Sequence, residues 1–497
     1  VFKALEITVY VLYCLSLTVI VVYSIGQLHL LISYWRNARK DRNPQPPLTG
    51  NDNLPFVTIQ LPIYNELYVV ERLLDSMAAL DYPADRFEVQ VLDDSTDETV
   101  EVTAKKVAEL QAKGIQAIHV RREDRSGFKA GALSYGLQFA KGEFVAIFDA
   151  DFLPKPDFLR ATLSNFTHEG IGVVQARWEH INQNYSVFTE AQAFHLDAHF
   201  TIEQFSRDKG GFYMNFNGTA GVWRKKCIEE AGGWEGDTLT EDLDLSYRAQ
   251  LKGWKFVYVD EIGAPAELPV EISAIKSQQF RWMKGGAEVA RKMFSRIMRA
   301  DIPFMHKVHA FMHLTSSTVF IFVLMLGASS VPLLYIKHKL EGGQIEFLLV
   351  PVSILLGSFI VLCLMYLTTC YRREGTVLKA AKRFILNFVP FLSLSMGLAL
   401  HNSIAVIQGW SGKKSPFVRT PKFALKNKRD SWNKGKYLPS KVKASVYVEL
   451  LLMIYFLGGV GMSIYFEDYS ILPFFLMQMA GYGAVSLLSF RNALSRA

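Results

Sequence analysis

At 497 residues, 50% of them hydrophobic and with a positive mean hydropathy, the chain is too long for one core and too apolar for an ordinary soluble protein. Its formal net charge of +7 does not argue for nucleic acid, because the basic residues cluster beside apolar runs and read as cytoplasmic membrane flanks. Cys14, Cys227, Cys363 and Cys370 have neither metal nor disulfide spacing, so they are read as inert packing thiols.

Leu5 to Trp35 is almost continuously apolar, more than the roughly 20 residues that span a bilayer, and Arg36, Arg39, Lys40 and Arg42 follow at once. Residues 1–42 are therefore an N-terminal span whose basic flank lies in the cytoplasm, too long and without the small-residue cleavage site of a removable signal peptide. Residues 43–54 form a polar, proline-rich linker.

From 55 to 285 the composition is that of a soluble α/β domain. Short apolar strands at Val57–Leu61, Val89–Leu92, Ala117–Val120, Phe144–Phe148 and Val173–Gln175 alternate with helical stretches at Glu66–Met77, Asp97–Leu110 and Lys129–Phe139, which implies a mostly parallel sheet. Tyr185–Phe205 and Val289–Met298 read as interfacial helices. The second, within 286–307, sets Arg291, Lys292, Arg296 and Arg299 opposite Val289, Met293, Phe294 and Ile297, a pattern suited to anionic headgroups.

In the membrane region, 308–497, the spanning candidates are 308–335, 347–367, 444–466 and 471–490. Residues 384–406 are also apolar but contain Pro390, His401 and Asn402. If they crossed, the basic segment from Lys413 to Lys443 would face outward, against the positive-inside bias. An interfacial or re-entrant 384–406 keeps every basic cluster inside and gives five spanning helices, with the N-terminus outside and the C-terminus inside.

The chemistry centres on "FVAIFDADFLP", where Asp149 and Asp151 end a buried strand. In an open α/β sheet ligands sit beyond the carboxyl ends of strands, and two close carboxylates repel unless a cation lies between them. A divalent ion gripping a diphosphate answers that need; a solvated strand-end loop is the plain alternative. "VLDDSTD" puts Asp93 and Asp94 after another strand, able to accept hydrogen bonds from a base or ribose. "LPIYNE" does the same with Tyr64 and Glu66, and "RSGFKAGAL" offers Lys129 as a point charge for a diphosphate. Turn-forming aspartates, an N-cap and a surface lysine are the plain readings of each. "LTEDLDLSYRAQLKGW" opens a helix with Thr240, Glu241 and Asp242, which suits capping or a general base that takes a proton from an attacking hydroxyl. "QQFRW" supplies Gln278, Arg281 and Trp282: a bidentate phosphate grip and a flat face for a sugar ring, or else an interfacial anchor. His195 and His199 at i, i+4 in "FHLDAH" have no third ligand in view and are read as a packed pair.

In order, "DDSTD", "FDADF", "TED" and "QQFRW" resemble the D, D-x-D, T-E-D and Q-x-x-R-W signatures of the membrane-embedded branch of glycosyltransferase family 2, which contains cellulose, hyaluronan and plant mannan or glucan synthases. "QLPIYNE", "VQARW" and "NGTAGVWR" are similar to the plant mannan and glucan synthases in particular. The resemblance covers residues 53 to 300 closely. It implies a GT-A, Rossmann-like cytosolic α/β domain joined to an α-helical transmembrane domain with interfacial helices. By that resemblance Tyr64, Glu66, Asp93, Asp94, Lys129, Asp149, Gln278 and Arg281 bind the nucleotide, and Asp149 and Asp151 hold Mg2+ or Mn2+. Asp242, with Glu241 and Thr240, is the catalytic group, while Trp282, Asn217, Gly218 and Thr219 line the acceptor side. "FVRTPK" resembles a gating loop, about residues 409–432, with Phe417, Thr420 and Lys422 at matching positions and Arg419 where the pattern has Val. A solvated basic loop touching lipid is its plain reading.

The implied protein is an inverting, processive β-glycan synthase that uses a sugar nucleotide, UDP-glucose before GDP-mannose, and passes the growing glycan across the bilayer. Ser316, Ser317, Thr318, Tyr366, Thr368, Thr369, Tyr447 and Glu449 offer polar lining for that path. A transferase adding one sugar to a lipid shares some of these signatures. A transporter or receptor with a degenerate transferase domain would lack a base or metal motif, and none is lacking. The expected location is a bacterial inner or plasma membrane, or the Golgi membrane if the chain is plant-like, with the catalytic domain cytoplasmic. A single cysteine at position 426 is expected to be labelled only from the cytoplasmic side; labelling from outside overturns the topology.

Overall fold

The computed structural model describes residues 2–38, 45–51, 53–339, 349–425, 430 and 443–494. Its centre is a seven-stranded sheet: β1 (Val57–Ile63), β2 (Phe87–Asp93), β3 (Gln116–Val120), β4 (Phe144–Ile147), β5 (Ile171–His180), β6 (Gly221–Arg224) and β7 (Lys255–Ala266), in the order β3-β2-β1-β4-β6-β5-β7. The β3-β2-β1-β4 half is parallel throughout, and β5 and β7 are parallel to each other. Between the halves β6 runs antiparallel to both β4 and β5. The sequence reading missed β6 and β7. β6 has only four residues and sits against a Gly-rich approach; β7 begins with the apolar run Phe256–Val259 and continues through Asp260, Glu261, Gly263 and Pro265, which break the pattern.

Side chains alternate along each strand, and the two faces bury different partners. On one face Phe144 and Ala146 of β4 join Ile59, Leu61, Val89 and Val91 under Leu73, Leu74 and Met77 of the helix Val70–Ala78. On the other, Val145 and Ile147 join Val173, Trp223, Phe194 and Phe200, and Leu31, Tyr34, Met365, Tyr366 and Phe388 of the apolar helices pack into the same cluster. The catalytic domain and the apolar helices thus share a core.

The expected interfacial helix Tyr185–Phe205 is three pieces: Val187–Ala198, a π-helical turn His199–Gln204 and Phe205–Lys209. The expected amphipathic segment 286–307 is not separate either. One helix, Ile272–Arg299, carries Gln278, Arg281 and Trp282 at one end and Val289, Met293 and Ile297 at the other, buried against Tyr247, Ala310 and Leu314. Arg291, Arg296 and Arg299 are exposed as expected, but Lys292 turns inward to Glu235, Asp237 and Asp244 at 2.6, 2.8 and 3.0 Å. Three carboxylates outcompete a headgroup for that ammonium.

Among the described residues four helices have the length and apolarity to cross a bilayer: Lys3–Asn37, Phe304–Lys339, Ala444–Tyr465 and Leu472–Asn492. The expected span 347–367 falls on the helix Leu349–Glu374, and its first two residues lie outside the described ones. Val377–Gly397 and Ala399–Ser411 form a pair bent by 50° across Leu398, where the sequence reading had an interfacial or re-entrant 384–406. Gly397 and Gly481 bring the first of these helices against Leu472–Leu494, and a Cβ at Gly481 would overlap the Ser393 carbonyl oxygen. Gly481→Leu is therefore expected to lower stability by about 1–3 kcal/mol through overpacking, read as a fall in the thermal midpoint of the purified protein in detergent.

Candidate active site

The carboxyl ends of β1, β2 and β4, the approach to β6, the helix Glu241–Leu251 and the start of the Ile272–Arg299 helix surround a cavity of about 210 Å³. Asp149 follows β4, and its backbone N–H donates to Thr219 Oγ1 at 2.9 Å. Lys129 lies 2.5 Å from Asp149 Oδ1 and also donates to the Gly218 carbonyl at 2.9 Å. Burial would lower the Lys129 pKa, but Asp149, Glu241 and Asp242 more than offset it, so the lysine stays an ammonium. Asp151 is paired with Lys422 of the loop at 2.6 Å, and the same ammonium donates to the Glu267 carbonyl at 2.9 Å.

Asp242 stands behind this group. Gly218, at φ +79°, passes so close that a Cβ there would be 3.0 Å from Asp242 Oδ2, which only glycine accommodates at that backbone angle. On its other flank Thr240 touches Gly285, where an added Cβ would lie 2.5 Å from the threonine methyl. The T-E-D turn is thus clamped between the β6 approach and the long helix. Burial, reinforced by Glu241 and opposed by Lys129, raises the Asp242 carboxyl from its ordinary value to about 7. Glu241 is raised for the same first reason.

At the carboxyl ends of β1 and β2, Arg122 grips Asp94 with Nε at 3.0 Å and Nη2 at 2.5 Å, and the Arg125 guanidinium lies 3.2 Å above the Tyr64 ring centroid. Glu66 meets Arg419 at 2.8 Å. Phe417 stacks on Phe128 with centroids 5.5 Å apart, while Arg281 donates to the Val418 carbonyl at 2.7 Å. Gln278, Trp282, Asn217 and Thr420 complete the wall.

Two of the expected site residues lie elsewhere. Asp93 does not reach the cavity: its buried carboxylate accepts the Ser95 N–H at 2.8 Å and meets His119 Nε2 at 2.8 Å. As the last strand residue it folds back to close the turn, and Asp94 projects to the other side. Thr219 is fully buried and supports Asp149 from beneath. His195 and His199 form no metal pair, since the first meets Tyr366 at 3.1 Å and the second Glu203 at 3.0 Å and Asn217 at 3.2 Å. Within the described residues the one acidic group with metal-like spacing, Glu235, Asp237 and Asp244, already surrounds Lys292 and lies outside the cavity. Of the expected polar lining, Ser316 and Ser317 reach a second cavity adjoining the first, and Thr368 lines a separate one beside Tyr34 and Trp35. Tyr366 faces His195, Thr318 Oγ1 accepts from Trp410, and Glu449 is paired with Lys276.

Sequence reasoning did not single out Arg122, Arg125, Trp178 or Glu267 as site residues. Glu267 ties Arg72 at 2.7 Å and the Phe423 N–H at 2.8 Å, so it joins the domain to the loop. Arg122 and Arg125 were visible as the basic part of "RREDRSGFK", seven and four residues before Lys129.

Residues 55–285 match the family described as "Glycosyltransferase like family 2". The fold and the cavity therefore define a GT-A glycosyltransferase domain of that family. The chain is 43% identical over 269 residues to glucomannan 4-beta-mannosyltransferase 1 of Oryza sativa subsp. japonica, covering 53% of this chain and 52% of that protein. It is 40% identical over 323 residues to glucomannan 4-beta-mannosyltransferase 2 of Arabidopsis thaliana, covering 61% and 59%. The match thus spans between half and three-fifths of these relatives' own length. Over this domain the chain is similar to the cellulose-synthase-like mannosyltransferases of family 2. In fold it is similar to a mannosyltransferase from Pyrobaculum calidifontis solved in complex with GDP-Man and Mn2+, with a TM-score of 0.55 and 20% identity over 81% of this chain and 100% of that one.

Lys422 holds the loop to Asp151 and Glu267 at once. Lys422→Met is expected to make the segment after Lys413 and Lys414 more sensitive to limited tryptic cleavage, while the remainder of the domain keeps its resistance.

Proposed function

We propose that the chain is an inverting β-glycosyltransferase that builds a mannan-type polysaccharide from a sugar nucleotide at the cytoplasmic face and moves it outward between the apolar helices. The observation that carries this reading is the junction of two cavities at Asp242 and Trp282, one bounded by Lys129, Asp149 and Arg281 and the other running among the helices. The donor lies in the first and the acceptor enters from the second.

Asp242 takes the proton of the acceptor hydroxyl as its oxygen bonds to the anomeric carbon. The bond from that carbon to the diphosphate breaks on the opposite face, so the configuration inverts and the nucleoside diphosphate leaves. Lys129 and Arg281 offset the charge that develops on it. Asp149 keeps a partly exposed carboxylate beside Asp151, hard oxygen donors that fit Mg2+ or Mn2+ shared with a phosphate. When bound, that ion would supply further positive charge to the leaving group. Trp282 and Trp178, with centroids 6.5 Å apart, offer apolar faces for the acceptor rings.

GDP-mannose is the proposed donor, reversing the expected order. The matched relatives are named mannosyltransferases, and the Pyrobaculum protein was solved with GDP-Man. Those relatives are plant proteins, which favours a Golgi membrane over the bacterial inner membrane expected first.

Incubating the purified chain with GDP-mannose and UDP-glucose, each radiolabelled, then digesting the product with linkage-specific hydrolases, tests the reading. Mannanase-sensitive polymer is expected from GDP-mannose; no polymer from either donor overturns it. Asp242→Asn is expected to lower turnover by about 10²–10⁴-fold with donor binding retained. In the native chain the rate is expected to fall as pH drops below about 7, because a raised carboxyl is protonated and cannot act as a base.

A further inference from the structure

A cavity of about 650 Å³ lies where the ends of the helices Phe2–Asn37 and Leu349–Glu374 and the start of Val377–Gly397 meet the sheet domain. It shares no lining residue with the two cavities at Asp242. Its size lies in the range of small-molecule sites, roughly 300–1,000 Å³. Along the last turns of Leu349–Glu374 the lining runs Leu367, Thr368, Tyr371, Arg372. Trp35 of the N-terminal helix donates its indole N–H to Thr368 Oγ1 at 3.3 Å, which sets a second aromatic side chain at that level. Trp35 and Tyr371 are 45% and 53% exposed. Apolar, then aromatic, then cationic is the order of groups at a bilayer surface. Leu356, Ile360, Leu364 and Leu367 are exposed at helical spacing, so an apolar stripe of the same helix runs up to the cavity.

The charge at the domain end is unequally shared. Buried Asp260 meets three guanidiniums, Arg373 at 3.1 Å, Arg372 at 3.5 Å and Arg177 at 3.6 Å. Of these Arg372 is the open one, its side chain 47% exposed. Both of its contacts, to Asp260 and to Glu261 at 3.2 Å, use Nη2, and its Nε and Nη1 have no partner among the described residues. Turning Arg372 toward a ligand leaves Asp260 held by Arg373, Arg177 and the Tyr258 hydroxyl, so no buried carboxylate is stranded. Lys379 and Lys382, both exposed, flank the lining residues Ala380 and Ala381 and add positive charge. The occupant that fits has an anion for a planar guanidinium at one end and a hydrocarbon chain at the other. A phospholipid of the adjoining leaflet carries both, and basic pockets between membrane helices suit anionic headgroups.

We propose that this cavity binds an anionic glycerophospholipid of the leaflet facing the catalytic domain, with the phosphate on Arg372 and an acyl chain along Leu367, Leu364 and Ile360. It rests on the apolar helices crossing a bilayer and not on the transferase reading, so a chain that transferred no sugar would still bind the lipid.

The test titrates the full chain, purified in dodecyl maltoside, with dioleoyl phosphatidylserine, dioleoyl phosphatidylcholine or inorganic phosphate, and counts bound lipid by native mass spectrometry. A saturable phosphatidylserine site is expected, with phosphatidylcholine about tenfold weaker and no displacement by an equal concentration of phosphate. Arg372→Gln is expected to weaken phosphatidylserine about tenfold and leave phosphatidylcholine unchanged. This variant breaks only two long contacts of a half-exposed side chain, so its lipid-free thermal midpoint is expected to match wild type. Ala381→Trp, which fills the cavity, is expected to weaken both lipids, and Arg299→Gln, at an exposed arginine outside it, to bind as wild type does. Wild-type phosphatidylserine binding in both Arg372→Gln and Ala381→Trp, equal affinity for the two lipids, displacement by phosphate, or an equal loss in Arg299→Gln each overturns the site.

Discussion

The Lys129 ammonium, shared between Asp149 and the Gly218 carbonyl, is the contact on which the rest of the site depends. Asp149 ends the parallel half of the sheet, and Gly218 begins the approach to the antiparallel strand. The one reversed strand of the sheet meets a neighbour of the opposite sense there, and one half-buried cation closes the seam. The same ammonium faces Glu241 and Asp242, so the T-E-D turn feels the charge that joins the halves. Without it three half-buried carboxylates would repel one another across a small cavity.

From that seam the long helix Ile272–Arg299 carries the organisation toward the apolar helices. Its first turns give Gln278, Arg281 and Trp282 to the cavity. On another side Lys276 is buried against Glu449 at 2.7 Å and Ser489 at 3.1 Å, joining the last two apolar helices to the same segment. Farther along, Gly285 lets the helix touch Thr240. The T-E-D turn, the Arg281 guanidinium and a helix bundle are thus referred to a single rod. The shared core of Phe194, Tyr366 and Phe388 with the sheet adds a second fastening.

The parallel strands were legible because each is a short apolar run ending at a polar cluster, as in Phe144–Asp149. β6 is only four residues long, whereas β7 does hold such a run, Phe256–Val259 before Asp260 and Glu261, which the reading passed over. The four acidic and basic signatures were legible as residue types, and Asp94, Lys129, Asp149, Asp151, Asp242 and Arg281 share one cavity. Which of two adjacent aspartates faces inward was beyond sequence reasoning: Asp93 and Asp94 differ only in strand phase and in the local bond that captures Asp93. Lys292 likewise carried no signal that three carboxylates, contributed by a distant loop and helix, would draw it away from the lipid side. Long-range electrostatics of that kind has no periodicity in a single chain.

Beside its side-chain ties to Asp151, Glu66 and Phe128, the loop over the cavity is fastened through its main chain. Arg281 takes the Val418 carbonyl, Lys284 takes the Lys413 carbonyl at 2.5 Å, and Glu267 takes the Phe423 N–H. Peptide groups are the same whatever side chain they bear, so such moorings fix the path of the segment and leave its composition free. Substitutions at Val418 or Lys413 can therefore retune what the loop presents to a ligand without unhitching it, whereas changing Arg281, Lys284 or Glu267, or the loop's own Lys422, would let the strap slip.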